Sequence, residues 1–225
     1  AFYDCSLSSL ELNKNVSYID DFAFYNNPLQ SVTLGKNIGY VRDYAFSRLD
    51  KLYYSGEIED WCKIQFNAFW EEMLVVSNPL KFCEKFYFND KEVTDLIIPA
   101  SVDSIPSYSF SGYKGLKSLI VEDGITSIGE MAFRGCSNLE KIDVPNDLTN
   151  IGFEAFKNTL WYDNLPDSVV YIGKVLYNYK GTMPANTSIN IKEGTVSICT
   201  SAFANCSGLI SVVMPNSVTN VGGAV

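Results

Sequence analysis

The sequence contains no histidine among its 225 residues. This absence excludes Ser-His-Asp and Cys-His nucleophile systems and the imidazole general base that titrates near neutral pH. It also excludes the usual histidine-containing zinc sites. An enzyme of this composition would depend on paired carboxylates, lysine, tyrosine or a Ser-Lys arrangement.

Basic charge, cysteine pairs and long apolar runs are also scarce. Seventeen Lys and Arg against 26 Asp and Glu leave a net charge of −9, so no nucleic-acid partner is expected. The six cysteines form no Cys-x-x-Cys pair and are too sparse to act as a disulfide scaffold or a metal cluster. No run of about 18 apolar residues occurs, so we expect no membrane insertion. The 47% apolar fraction still predicts a packed core.

A repeat of 22 to 23 residues runs along almost the whole chain. The clearest unit, AFRGCSNLEKIDVPNDLTNIGFE, begins at Ala132 and returns as AFANCSGLISVVMPNSVTNVGGA at Ala202. Phe110, Phe133 and Phe156 each lie 23 residues apart. A fixed period of this length is the signature of stacked structural repeats, and eight units are recognisable.

Each unit has the pattern of one solenoid coil. Leu139, Ile142 and Val144 alternate with polar residues as in a short strand with one buried face, and Pro145 ends that strand. Ala155-Phe156 fills the interior with one small and one large side chain. We predict that stacked coils place these strands in one parallel sheet, at Leu10–Leu12, Val32–Leu34, Leu96–Ile98, Leu119–Val121, Ile142–Val144, Ile189–Ile191 and Val212–Met214.

The motif AFxxCxxLxxIxVPxxLTxIG resembles the bacterial leucine-rich repeat of the BspA type. The resemblance implies an α/β, β-rich right-handed solenoid with a parallel concave sheet and short helical turns. It further implies a non-catalytic protein-interaction or adhesion module at the cell surface or in a secreted protein, without cofactor. Asn27, Tyr113 and Thr159 replace the motif cysteine, and Pro106 replaces its glycine; these departures affect packing only.

Residues 1–225 are predicted to form a single solenoid, a piece of a longer array, with an insert at about 56–92. In the insert we expect an amphipathic helix over Glu57–Phe69, then a hairpin with Phe86–Phe88 and Val93–Ile98 on either side of Asn89. Whether Cys62 and Cys83 pair is left open. Because the stretch after Gly194 carries no charge, self-association through a bare terminal coil is also expected.

The insert also gathers acidic residues beside two tryptophans. A glycoside hydrolase would need such a carboxylate pair, and exposed rings would suit a sugar. The simpler interpretation, which we favour, is a solvated helix face whose tryptophans pack on the solenoid. The residues concerned are Glu57, Glu59, Asp60, Glu71 and Glu72, with Trp61 and Trp70.

The middle residue of each strand should face outward, because side chains alternate along a strand. These positions predict a partner-binding stripe in which Ile97 and Ile120 form an apolar patch with Tyr53 nearby, beside an acidic residue. Carbohydrate binding through Tyr53, Trp161 and Tyr162 is the alternative function. The stripe consists of Glu11, Thr33, Tyr53, Ile97, Ile120, Asp143, Asn190 and Val213.

Overall fold

The structure is a computed structural model that describes residues 1–66 and 77–223. The chain forms a β-solenoid of about nine turns. Most coils contribute one longer strand, here called a major strand. Its inward side chains alternate with outward ones, as the sequence predicts. The major strands are β1 Ser9–Glu11, β3 Leu29–Leu34, β5 Leu49–Tyr54, β7 Cys83–Phe88, β9 Asp95–Ile98, β10 Ser118–Val121, β12 Lys141–Asp143, β16 Thr187–Asn190 and β18 Leu209–Val213.

A second row of strands runs on the return side of the coils and was not predicted. These minor strands pair in parallel with one another, so the solenoid carries strands on two sides. They are β2 Tyr18–Ile19, β4 Tyr40–Val41, β6 Gln65–Phe66, β11 Ser127–Ile128, β13 Asn150–Ile151, β15 Val175–Tyr179, β17 Ser197–Ile198 and β19 Asn220–Val221. Strands β8 Lys91–Glu92 and β14 Val169–Ile172 are hairpin arms, and helices α1 Ile58–Trp61 and α2 Leu160–Asp163 have four residues each. A 3-10 helix spans Pro79–Phe82.

The predicted parallel pairing of the major strands is confirmed, but the prediction of one continuous sheet is wrong. The major strands form three sheets, ordered β1-β3-β5-β7-β8, β12-β10-β9 and β16-β18. The first ends because β8 turns back antiparallel onto β7 and takes the edge that β9 would need. The second ends because α2 replaces a major strand in the next coil.

In the stretch 56–92, predicted as an insert, the described residues 56–66 and 77–92 contribute strands to the solenoid. Its β6 pairs with β4, and its β7 pairs with β5. The predicted helix over Glu57–Phe69 is much shorter, because the chain leaves the helix after Trp61 to form β6; Phe69 lies outside the described residues. A hairpin turns at Asn89 and Asp90, both at positive φ, but its second arm is Lys91–Glu92. The predicted second arm, Val93–Ile98, is wrong, because Asp95–Ile98 forms β9 and pairs in parallel with β10.

Buried phenylalanines fill the interior and touch from coil to coil. Phe110, Phe133 and Phe156 stack nearly parallel, with ring centroids 5.4 Å apart at both steps. In the coil of residues 56–92, Trp61 is fully buried, and its ring lies 4.6 Å from Phe86. The preferred interpretation of Trp61 as a packing residue is therefore confirmed, while Trp70, Glu71 and Glu72 lie outside the described residues.

The side chain at the motif cysteine position forms hydrogen bonds with backbone groups inside the turn. Cys136 is buried, and its Sγ donates to the Phe110 carbonyl of the neighbouring coil at 3.2 Å. Asn27 performs this role with its amide, which donates to the carbonyls of Phe2 and Phe24 at 2.7 and 2.9 Å. Asn27 therefore preserves the donation to backbone carbonyls, whereas the Tyr113 hydroxyl instead accepts from the Phe86 N–H at 3.2 Å.

All six cysteines are free thiols, Cys62 and Cys83 included. The three cysteines at the motif position differ in accessibility: Cys136 is buried, Cys206 is half-buried and Cys5 is exposed. Burial raises the pKa of the Cys62, Cys83 and Cys136 thiols to about 12. At neutral pH these side chains are therefore protonated and unreactive.

This pattern predicts the order in which thiols react. In native protein at mildly alkaline pH, Ellman's reagent should modify Cys5 first and half-buried Cys206 more slowly. The four buried thiols should react only as the chain unfolds, because they are both inaccessible and protonated. Cys5→Ser should abolish the fast phase, and urea-denatured protein provides the six-thiol reference. Rapid reaction of all six thiols in the native state would contradict this description.

The motif glycines allow one coil to approach the next closely. A Cβ added to Gly152 would lie 2.2 Å from the Glu130 backbone nitrogen, and one on Gly129 would lie 2.3 Å from the Ser107 nitrogen. Neither distance can be accommodated without moving backbone. At Gly39 the nearest atom, the Ser17 carbonyl oxygen, lies 3.6 Å away, which is ordinary contact.

Gly152→Ala should therefore lower the free energy of unfolding by about 1–3 kcal/mol, the usual cost of overpacking. The matched control, Gly39→Ala, should be neutral or slightly stabilising, by about 0.5 kcal/mol, because alanine restricts the unfolded chain. Urea denaturation followed by circular dichroism measures both. Equal effects of the two substitutions would refute the close approach at Gly152.

Candidate interaction surface

The predicted stripe lies on the outward side of the major strands, divided among the three sheets. Strand pairing places Glu11 beside Thr33 and Thr33 beside Tyr53 in the first sheet. The third sheet pairs Asn190 with Val213. The eight positions are therefore three separate groups of neighbours, because the sheet is interrupted twice.

The central group contains the apolar patch. Ile97 pairs with Ile120, and Ile120 pairs with Asp143 on the next strand. The two isoleucines are 53% and 41% exposed, although the side chains before and after each are buried in the core. Two neighbouring isoleucines held outward by buried neighbours form a small apolar surface on a rigid support.

Tyr53 is not part of this patch, contrary to the prediction. It belongs to the first sheet, where its direct neighbour is Tyr87 on β7. The two rings stack with centroids 4.7 Å apart and an interplanar angle of 15°. Sequence reasoning missed Tyr87 because the two tyrosines lie 34 residues apart, outside the 22 to 23 residue period. The available signal was the apolar spacing of Phe86 and Phe88, which matches that of Leu52 and Tyr54.

The three aromatic residues suggested for carbohydrate binding do not form one platform. One face of Tyr53 is covered by Tyr87. Trp161 packs edge-on against Phe156 at 5.5 Å, on the coil that carries α2. Tyr162 lies on α2 as well and contacts Tyr177.

An open, shallow groove borders the isoleucine patch. Its lining includes Ile120, Glu122, Asp123, Asp143 and Asn146. Glu122 Oε2 accepts a hydrogen bond from the Ala100 N–H at 2.9 Å, which fixes one wall. The surface beside the patch is therefore acidic, in keeping with the net charge of −9.

Among the acidic residues of the stretch 56–92, Glu59 and Asp60 each have a separate local partner, while Glu71 and Glu72 lie outside the described residues. Glu59 is partly exposed, and its Oε1 accepts from the Ser101 hydroxyl at 2.6 Å, which lowers the pKa of that carboxyl. Asp60 forms an exposed ion pair with Lys63 at 3.3 Å. Within residues 1–66 and 77–223, no group of three or more Cys, Asp or Glu side chains is arranged to hold a metal ion.

The last described coil leaves apolar side chains exposed. Ile210, Met214 and Val221 are each at least half exposed, whereas Ile151, at the motif position of Val221, is buried beneath a neighbouring coil. Self-association through this coil stays a prediction. Separately, among the described residues no helix has the length and apolar character needed to cross a bilayer.

Comparison with protein families gives a match to the BspA type leucine-rich repeat region. The match comprises six copies and covers residues 1–78, 81–183 and 177–225. The chain belongs to the BspA-type leucine-rich repeat family. The BspA-type motif explains the periodic features above: the phenylalanine column, the hydrogen-bonding cysteine position and the glycine at the close approach between coils.

Three solved structures are similar to this BspA-type chain. A leucine-rich cell surface protein from Faecalibacterium prausnitzii is 17% identical, with 99% of this chain and 61% of that chain covered and a TM-score of 0.44. A leucine-rich repeat protein from Bacteroides ovatus is 17% identical, with 96% and 51% covered and a TM-score of 0.41. The pneumococcal vaccine antigen PcpA is 16% identical, with 96% and 56% covered and a TM-score of 0.40.

The BspA-type chain thus spans between 51% and 61% of the length of these three relatives. Comparison with curated protein sequences gives no significant match.

Proposed function

We propose that this chain is a non-catalytic protein-interaction module of a cell-surface or secreted protein, and that its binding centre is the Ile97–Ile120 patch with Asp143. The family supports the general role, since leucine-rich repeat proteins commonly bind other proteins. The observation that carries the choice of surface is the exposed isoleucine pair on neighbouring, well-packed strands.

The energetics of the patch favour binding over a purely structural role. Each isoleucine already satisfies the β-propensity of its strand, but both stay largely in contact with water. Because each side chain is already about half buried, a partner that covers both gains about 1 kcal/mol for each, roughly half the value for burying a fully exposed isoleucine. The sheet is ordered before binding, so little conformational entropy is lost on this side of the interface.

The charges around the patch indicate what the partner surface must carry. Asp143 lies directly beside Ile120, and Glu122 and Asp123 line the adjoining groove. A complementary partner would place an apolar side chain on the isoleucines and lysine or arginine against the acidic groove. Electrostatic complementarity of this kind raises the association rate and disfavours acidic competitors.

The test compares the effect on binding of the same substitution at two exposed isoleucines, one inside the patch and one outside the stripe. The partner is first isolated from extracellular extract and purified, and its affinity for the wild-type chain is then measured by biolayer interferometry. Ile120→Glu should weaken binding about tenfold or more. Its melting temperature should be nearly unchanged, because this side chain is outside the core. Ile210→Glu makes the same change at an exposed isoleucine, 65% accessible, outside the stripe, and should bind normally.

Two outcomes would contradict the proposal. Undiminished binding by Ile120→Glu would place recognition on another surface. Equal loss in both variants would attribute the effect to added negative charge rather than to the patch.

A further inference from the structure

Aromatic rings that are not part of the buried column cluster around the first three Ala-Phe turns. Phe22 stacks on Tyr44 of the next coil, with ring centroids 5.3 Å apart, and Tyr25 stacks on Tyr3 at 5.8 Å. Tyr25 also meets Phe22 and Tyr44 edge-on, at 5.4 and 5.8 Å, which joins the two stacks into one cluster. Of these rings, Tyr3 is 55% exposed and Phe22 is 43% exposed.

Two further tyrosines extend this cluster onto the minor strands. Tyr18 on β2 pairs with Tyr40 on β4, their ring centroids lie 6.1 Å apart, and both side chains are exposed. Arg42 connects this pair to the turn, because its Nη1 donates to the Tyr18 hydroxyl at 3.1 Å and its Nε lies 3.3 Å from Asp21 Oδ1. The aromatic surface so defined consists of Tyr3, Tyr18, Phe22, Tyr25, Tyr40 and Tyr44.

Folding of the Ala-Phe turn does not call for an aromatic residue before the alanine. Phe22 and Tyr44 occupy that position with φ of 55° and 51°, in the left-handed region that glycine and asparagine adopt at least cost. Met131 and Glu154 stand at the same position of later turns with the same backbone conformation. The exposed rings of the first turns are therefore not explained by the backbone of the repeat.

Acidic side chains border the aromatic surface. Residues 1–4, 18–25 and 40–46 carry four aspartates and a single arginine. The side chains of Asp20 and Asp21 are 68% and 40% exposed, and Asp4 is exposed next to Tyr3. Because the face of an aromatic ring also attracts positive charge, the rings and the carboxylates both favour a cation.

We infer that the aromatic surface binds an arginine side chain from an extended segment of a partner protein. A guanidinium group is planar and stacks on aromatic rings, and it also forms paired hydrogen bonds with a carboxylate, which an ammonium group does not. Arg42 shows both partners in place, since its guanidinium contacts a tyrosine hydroxyl and a carboxylate of this surface. The remaining excess of negative charge attracts a second guanidinium. The surface lies on the Ala-Phe turns and minor strands, so it is separate from the isoleucine patch on the major strands.

A peptide titration followed by chemical-shift mapping is the first experiment. An acetylated, amidated peptide in which arginine alternates with glycine is added to isotope-labelled chain, at concentrations suited to dissociation constants of about 1 mM. The control peptide carries citrulline in place of arginine, which keeps the planar group and removes its charge. The arginine peptide should shift the ring resonances of Tyr18, Phe22 and Tyr44, and the citrulline peptide should bind at least about tenfold more weakly.

Three outcomes of this titration would overturn the inference. Absence of shifts, or shifts centred on the major strands, would remove the site. Equal binding of the citrulline peptide would identify a neutral occupant. Ring shifts that grow with protein concentration before any peptide is added would identify a second copy of this chain as the occupant.

Variants at one ring then test the aromatic contact. Phe22→Leu keeps an apolar side chain without a π face and should weaken binding of the arginine peptide about two- to fivefold. Phe22→Tyr restores a ring and should bind like the wild type. Equal affinities of these two variants would show that the ring is not what holds the peptide.

A second pair of variants tests the charge. Asp4 Oδ1 accepts from the Asn26 amide at 2.7 Å, and Asp4→Asn keeps an acceptor there and tolerates the positive φ of this residue. It should weaken binding about two- to fivefold, whereas Asp103→Asn, at an exposed aspartate of another coil, should not. Equal losses would reduce the effect to net charge and contradict a local site.

The result is separable from the test of the isoleucine patch. Ile120→Glu should bind the arginine peptide normally, because its substitution lies on the major strands. Loss of peptide binding in that variant would contradict the assignment of two separate surfaces.

Discussion

Contact between successive coils is the interaction on which the rest of the structure depends. A single coil has too few apolar residues to enclose a core, and apart from the β7–β8 and β14–β15 hairpins its strands pair with those of neighbouring coils. Stacking satisfies both needs at once, because Phe133 lies between Phe110 and Phe156 while the strands of the three coils pair. The stability of the chain is therefore distributed over interfaces between neighbours rather than concentrated in one core.

The same constraint explains where the chain departs from its repeat. In the two irregular coils another buried aromatic residue contacts the column: the Trp61 ring lies 6.3 Å from Phe110, and the Tyr177 ring lies 6.2 Å from Phe156. Trp61 also donates from Nε1 to the Ser109 carbonyl at 2.9 Å, so its larger ring is tied to the neighbouring coil. Tyr177 replaces a backbone bond with its hydroxyl, which accepts from the Phe156 N–H at 3.0 Å.

Outward positions are free of this constraint, which is why they can differ from coil to coil. Leu96 and Ile98 must be apolar because they face the column, but Ile97 between them is held on the surface and could be polar without loss of packing. An apolar residue there contributes little to folding. We propose that an isoleucine is present at this exposed position because it contacts a binding partner.

The sequence predicted the structural features that follow from the repeat within one regular coil. It missed the features that depend on the two irregular coils. Alternation within Leu119–Val121 gave the strand, its buried face and its outward Ile120, and the period gave the parallel pairing with Ile97. The interruption of the sheet at β8 was not predictable from the period, because it depends on a local turn at Asn89-Asp90. The pairing of Tyr53 with Tyr87 was missed for a related reason, since it follows from the course of a non-repeating coil.

The most direct test of the account is the free energy of unfolding of Phe133→Ala against Phe22→Ala. Phe133 is fully buried in the column, whereas Phe22 is 43% exposed and lies against Tyr25 and Tyr44. If contact between coils maintains the fold, urea denaturation should show a loss of about 3–5 kcal/mol for Phe133→Ala. Phe22→Ala should cost less than about 1 kcal/mol. Equal, small losses for the two variants would contradict the claim that the phenylalanine column joins the coils.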